Sequence, residues 1–198
     1  VLLAETKTPL LRVYTWERPS VSYGYFEPWE PVAVAYPGHD RVRRWTGGGV
    51  VTHGDDWTYS LIVPRSEPFA RLKAAESYRV IHDLLADTLR SCASVGDEVV
   101  LTPASFEKIS HACFENPAQY DILVGGRKIA GAAQRRSRHG LLHQGSVQGV
   151  RVPNDFPGRF ADRFTRFCLP GVIAQSTEAA AAELARAKYG TAAWNEKF

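Results

Sequence analysis

Asp121-Ile122-Leu123-Val124-Gly125-Gly126-Arg127-Lys128-Ile129-Ala130-Gly131-Ala132-Ala133-Gln134 is the stretch on which the reading of the chain turns. Two strand-like runs flank a glycine pair, and a Gly-Gly connection closes a tight hairpin because glycine tolerates the positive φ such turns demand. Strands are therefore predicted over Asp121 to Val124 and Lys128 to Gln134, with Arg127 and Lys128 at the start of the returning strand. Gly131 and Ala132-Ala133 leave little side chain there, so another group has room to lie against it.

Outward from this hairpin the β signal continues. Leu141 to Val147 follows it, and Glu98 to Leu101 precedes it. Leu10 to Trp16 and Ser20 to Phe26, separated by the turn-like Glu17-Arg18-Pro19, read as a hairpin or two adjacent strands. Val42 to Trp45, Val50 to His53 and Thr58 to Val63 extend the pattern. From Phe69 to about Cys92, the apolar residues Leu72, Ala75, Tyr78, Ile81, Leu85 and Leu89 recur at helical spacing, which predicts one long helix covering a face of the sheet. A short helix is expected over Asp162 to Cys168, ended by Pro170-Gly171. Ser176 or Thr177 is expected to cap a last one running to about Lys188, with Gly190 as its stop. Strands and helices interleave without a regular β-α-β rhythm, so the class is α+β.

With 198 residues the chain is the size of one domain, expected to span 1–198. Hydrophobic residues at 44% and charged residues at 23% are the balance of a soluble globular protein, and no apolar run is long enough for a membrane span. A net charge of +3 is too small to imply nucleic acid as a partner. Basic residues do cluster, at Arg41, Arg43 and Arg44 and again at Arg127, Lys128, Arg135, Arg136 and Arg138; such runs suit solvated surface or a rim that attracts an acidic partner. Cys92, Cys113 and Cys168 are odd in number and irregularly spaced, which fits a reducing compartment better than a disulfide framework. Because the chain contains no Met, an N-terminal segment is expected to precede Val1.

Two constellations could carry chemistry. Arg43-Arg44-Trp45-Thr46-Gly47-Gly48-Gly49, followed by His53, joins cations to glycines whose backbone N–H groups can approach an anion; taken alone, the triplet also reads as a turn. The second runs from His111-Ala112-Cys113-Phe114-Glu115-Asn116-Pro117 to Lys128 and beyond. Cys113 lies in a polar, Pro-containing segment, whereas Cys92 and Cys168 have helical, apolar surroundings. A cation nearby would raise its thiolate fraction, and Lys128 is the candidate once the hairpin folds back. On residues alone, Cys113 reads equally as a small core residue and Lys128 as an exposed hairpin lysine. Ser146 lacks the Gly-x-Ser-x-Gly elbow of a hydrolase nucleophile. His53, His111, His139 and His143 show no paired spacing for a metal, and none is expected.

In this order, the blocks resemble the biotin/lipoate attachment family, specifically its lipoate-protein ligases and protein octanoyltransferases. Leu11-Arg12-Val13-Tyr14-Thr15-Trp16 and Val21-Ser22-Tyr23-Gly24-Tyr25-Phe26 look like its opening strands; Arg43-Arg44-x-Thr46-Gly47-Gly48-Gly49-x-x-x-His53 looks like its acyl-pocket motif. Gly126-Arg127-Lys128-Ile129-Ala130-Gly131-x-Ala133-Gln134 resembles the catalytic lysine strand, His143-x-Gly145-Ser146 the wall facing it, and Lys188-Tyr189-x-x-x-x-Trp194-Asn195 the closing motif. The resemblance implies a single biotin/lipoate ligase-like catalytic domain with a mixed, largely antiparallel sheet flanked by helices, its N-terminal helix truncated.

Within the family, Cys113 in Ala-Cys-Phe-Glu-x-Pro is similar to the cysteine of one octanoyltransferase branch, and Asp56-Trp57-Thr58-Tyr59-Ser60 also leans that way. That branch implies a cytoplasmic acyltransferase needing no cofactor. It would take octanoyl from acyl carrier protein, hold it on Cys113 as a thioester, and pass it to a lysine of a lipoyl domain or glycine cleavage H protein. Lys128 would help deprotonate both nucleophiles. Arg44, Gly47, Gly48, Gly49, His53, Gly131, His143 and Gly145 would bind the substrate. The alternatives are an ATP-dependent lipoate ligase, using ATP and Mg and forming an acyl-adenylate, and a non-catalytic acyl-binding module.

Overall fold

The computed structural model describes residues 1–92, 95, 98–106 and 112–198. In chain order the elements are α1 (Leu2–Glu5), β1 (Leu10–Tyr14), β2 (Ser20–Tyr23), α2 (Trp29–Ala35), β3 (Asp40–Arg43), β4 (Val50–His53), β5 (Trp57–Pro64) and α3 (Ala74–Arg90). Then come β6 (Val99–Leu101), β7 (Ile122–Val124), β8 (Arg127–Ser137), β9 (Gly140–Val147), α4 (Phe156–Phe164), α5 (Gln175–Leu184) and α6 (Ala192–Asn195). Six strands form one antiparallel sheet in the order β1-β5-β9-β8-β7-β6. Three more form a small sheet, β3-β2-β4, whose β2 and β3 run parallel.

The α+β class with a largely antiparallel sheet is therefore as expected, but β1 and β2 are neither a hairpin nor neighbours. β1 pairs with β5 in the large sheet, while β2 is the centre of the small one. Gly125 and Gly126, at φ +55° and +77°, close the β7–β8 hairpin as the sequence predicted. The short helix α4 starts six residues before its predicted position, because Phe156, Phe160 and Phe164 recur at i, i+4 and present one apolar face. Phe156 and Phe160 meet Trp57 edge-on, and Phe160 also meets Tyr59.

One face of the large sheet carries the core. Tyr59, Leu61 and Val63 of β5 and Leu141 and Val147 of β9 are buried there against Ile81, Leu85 and Leu89 of α3. Full burial of each of those three α3 side chains contributes about 2 kcal/mol. Alternation turns Thr58, Ser60 and Ile62 of β5 and Leu142, Gln144 and Ser146 of β9 to the other face, where they line a cavity. The small sheet closes the cavity's far side.

Candidate active site

The cavity has a volume of about 730 Å³. Its walls come from the open face of the large sheet, from Ser22, Arg44, Val51 and His53 of the small sheet and its flank, and from Ile173, Ala181 and Leu184 near α5. Cys113 reaches it from a single 3-10 turn, Cys113–Glu115, anchored by a bridge between Ala112 and Val50. A thiol there is half-buried and open to a ligand.

Lys128 comes to Cys113 through a defect in the sheet. Ile122 pairs with Ala130 but Leu123 pairs with Lys128, so Ile129 is an extra residue on β8. Strict alternation would turn Lys128 and Gly131 to opposite faces; a bulge re-aims the side chain. The amine then lies over Gly131, where a Cβ would stand 2.6 Å from Lys128 Cε. Lys128 Nζ donates to Asp121 Oδ2 at 2.6 Å, to the Cys113 carbonyl at 2.8 Å and to Cys113 Sγ at 3.7 Å. An ammonium has three N–H donors, and these three acceptors use all of them. Asp121 is held in turn by the Tyr78 hydroxyl and by Ala118 N–H at 2.7 Å. The lysine is thus buried beneath the thiol as half of an ion pair.

Arg43 and Arg44 part company. Arg43 is buried, and its guanidinium donates to the carbonyls of Gly24, Tyr25, Glu27, Trp194 and Asn195, so it cannot serve in an exposed basic rim. Trp194 Nε1 returns a bond to the Arg43 carbonyl, which gives the Lys188 to Asn195 motif a structural purpose. Arg44 faces the cavity. Its guanidinium binds the Gly47 and Gly49 carbonyls and Ser22 Oγ, and burial pulls its pKa down. Of the glycine triplet, Gly48 lines the cavity, at φ +87°, whereas Gly47 and Gly49 supply carbonyls to Arg44. Gly24 is a glycine the sequence did not single out: a Cβ there would lie 1.8 Å from the Gly48 carbonyl oxygen.

His53 lines the cavity, and so do Gly131 and Gly145. His143 does not. It is fully buried on the core face, bonded to Tyr59 and Gln134, with burial holding it well below the usual histidine pKa. Its period-two relation to Leu141 and Val147 explains the placement. His111 lies outside the described residues, and no cluster of metal-ligating side chains occurs among those described.

Sequence reasoning missed a polar chain behind His53. His53 Nδ1 meets Asp56 Oδ2 at 2.8 Å, and His53 Nε2 meets Ser22 Oγ at 2.6 Å. Thr58 and Ser146 also donate to Asp56 Oδ2, at 2.7 and 2.6 Å, and Gly54 N–H to Oδ1. Burial pushes the Asp56 carboxyl up, but the hydrogen bonds from His53, Ser146 and Thr58 outweigh it and hold the pKa down to about 2. The His-x-x-Asp spacing was the one sequence signal for this pair. Asp121, the partner of Lys128, had only its place at a strand start.

Residues 1–148 match the family model of the lipoyl protein ligase A/B catalytic domain. The octanoyltransferase LipM of Staphylococcus aureus is 37% identical over 148 residues, an alignment covering 70% of this chain and 54% of that protein. The chain spans about half the length of the curated relatives it matches. Among solved structures, protein Ta0514 of T. acidophilum with bound lipoic acid superposes with a TM-score of 0.75 at 21% identity, covering 100% of this chain and 90% of that one. Lipoate-protein ligase A bound with ATP gives 0.71 at 21% identity, covering 98% and 87%. These structural likenesses bear on the fold alone; the match over residues 1–148 carries the further conclusion that the chain belongs to the lipoyl protein ligase A/B catalytic domain family.

Proposed function

We propose that the chain is an acyltransferase of lipoyl cofactor assembly that moves octanoyl from acyl carrier protein, through a thioester on Cys113, to a lysine of a lipoyl domain or glycine cleavage H protein. The observation that carries this reading is the Lys128 Nζ to Cys113 Sγ distance of 3.7 Å at the wall of an acyl-sized cavity. The amine is a buried cation held beside the attacking sulfur. The thiolate attacks the donor carbonyl, the donor thiol leaves, and the acyl chain rests against Ile62, Leu142 and Ala133. The acceptor lysine then displaces Cys113.

Lys128 serves in both steps as a fixed cation, since its three donors are already engaged. Arg44, Gly48, His53, Gly131 and Gly145 frame the substrate. The thioester route uses no ATP, Mg or other cofactor, and the enzyme would work in the cytoplasm; no helix among the described residues is long and apolar enough to cross a membrane.

The test is intact-mass measurement after exposure to octanoyl-acyl carrier protein. One octanoyl adduct is expected on the chain and none on Cys113→Ala, which also loses transfer to an apo lipoyl domain. Product formed from free lipoate and ATP, with none from the carrier-protein thioester, would establish the ligase reaction instead.

A further inference from the structure

The reaction above leaves one proton without a taker. An acceptor lysine arrives as an ammonium and must be deprotonated before it can attack, yet Lys128 has no free lone pair while it is bonded to Asp121 and Cys113. Among the described residues, a different chain of groups leads away from the same cavity. We infer that Ser22, His53 and Asp56 form a proton relay in which Ser22 takes a proton from the acceptor ammonium and passes its own to His53. The inference rests on the Cys113 thioester reading.

Three observations carry it. The hydrogen bonds run in the order Ser22 Oγ, His53 Nε2, His53 Nδ1, Asp56 Oδ2, at 2.6 and 2.8 Å, which is the order that lets an imidazole accept a proton and a carboxylate steady the imidazolium. Arg44 Nη1 donates to Ser22 Oγ at 2.8 Å, which turns the hydroxyl hydrogen toward His53, and the Trp16 ring stacked at 4.1 Å fixes the imidazole plane. Second, Cys113 and Ser22 both line the cavity, and their backbones adjoin: Ala112 bridges Val50, which pairs with Tyr23. Third, His53 lines not only the cavity but also a separate depression of about 250 Å³, bordered by Asp55 and Gln148, so a proton received on one side has an exit on the other.

The step balances. The ammonium gives one proton to the relay, the amine nitrogen forms the C–N bond as the C–S bond of the thioester breaks, and the nitrogen's second proton goes to the departing Cys113 thiolate. His53 sheds the relayed proton through the depression before the next turnover. Ser22 is the catalytic residue of this step; His53 and Asp56 act through it.

The experiment loads the chain with octanoyl from octanoyl-acyl carrier protein and follows loss of the adduct by intact mass, with either an apo lipoyl domain or hydroxylamine as acceptor. Hydroxylamine is already unprotonated at neutral pH and needs no base. Ser22→Ala and His53→Gln are expected to slow transfer to the lipoyl domain by about 100-fold or more. Discharge to hydroxylamine should fall far less, the loss being at least about tenfold smaller on the scale of general-base effects, and Ser22→Thr should restore transfer. Undiminished transfer by Ser22→Ala overturns the relay, as does an equal loss with both acceptors, the result of a merely structural role. An octanoyl adduct on Ser22 in Cys113→Ala also overturns it, since the hydroxyl would then be a nucleophile. If the unaltered chain forms no adduct on Cys113, the thioester reading fails and takes the relay with it.

Discussion

Asp121 and Lys128 form an ion pair of 2.6 Å in which the two side chains expose only 1% and 2% of their surface. Two charges removed from water so completely depend on each other, because either one left alone keeps the cost of desolvation without the attraction that offsets it. The pair also ties two strands, β7's entry and β8's start, to the turn that carries Cys113.

Lys128→Met should therefore destabilise the fold by about 3–5 kcal/mol, the cost of stranding a buried carboxylate. The double variant Asp121→Asn, Lys128→Met should recover part of that loss. Urea unfolding of the two singles and the double measures the coupling. Additive single effects would mean that the two groups do not stabilise each other.

Gly131→Ala tests the position of the Lys128 amine. The new Cβ would meet Lys128 Cε at 2.6 Å and Nζ at 2.9 Å, and what must move is the end of a flexible side chain rather than backbone. Because that amine is held in the buried pair with Asp121, whose Oδ1 would also lie 3.2 Å from the new Cβ, stability should fall by about 1–3 kcal/mol. Octanoyl loading of Cys113 should fall roughly 10- to 100-fold, since displacement by about 1 Å is costly at a reacting centre. Loading at the original rate would show that the amine does not need its present position.

How much of this was legible depends on what a strand pattern encodes. Gly125-Gly126 announced the β7–β8 hairpin, and the helical spacing from Leu72 to Leu89 announced α3, because both signals are local. Alternation in Leu10 to Phe26 reported burial but not partners, so the assignment of β1 and β2 to different sheets was invisible. The bulge at Ile129 was equally hidden, although it is what puts Lys128 beside Gly131. For His143 the signal existed: it shares parity with Leu141 and Val147, both buried in the core, and the motif resemblance outweighed that parity. Ser22, His53 and Asp56 come from separate strands and a connecting loop, and no spacing rule joins all three.

Acid should weaken the fold through His82. Burial is the main reason its pKa falls from 6.5 to about 4, with Asp121 and the Tyr120 carbonyl pulling upward and Lys128 adding to the fall. Its Nδ1 meets the Tyr120 carbonyl at 2.7 Å, and its Nε2 has no hydrogen-bond partner among the described residues. The folded-state pKa lies below the unfolded one, so the unfolded chain binds the proton first. Stability is full above about pH 6.5 and declines as pH falls toward about 4, by roughly 3 kcal/mol in total. The urea midpoint should drop across that window, and His82→Gln should flatten the slope. An unchanged slope in the variant would place the acid sensitivity elsewhere.

Arg43 makes the most specific demand on side-chain shape. One guanidinium reaches five carbonyl oxygens, three in the Gly24 to Glu27 turn and two at Trp194 and Asn195, while its own backbone N–H donates to Asn195 Oδ1 at 2.9 Å. It thereby fastens α6 to β3, and with it the end of the segment that brings Leu184 and Tyr189 to the cavity. A lysine keeps the charge but offers three donors from one point and cannot span that fork. Arg43→Lys should cost on the order of 3 kcal/mol, the equivalent of one or two charged hydrogen bonds. It should also loosen the C-terminal segment more than the sheet. Limited trypsin digestion then cuts at Arg186 or Lys188 well before the rest of the chain. If the variant resists trypsin as the unaltered chain does, the clamp is not what holds α6 in place.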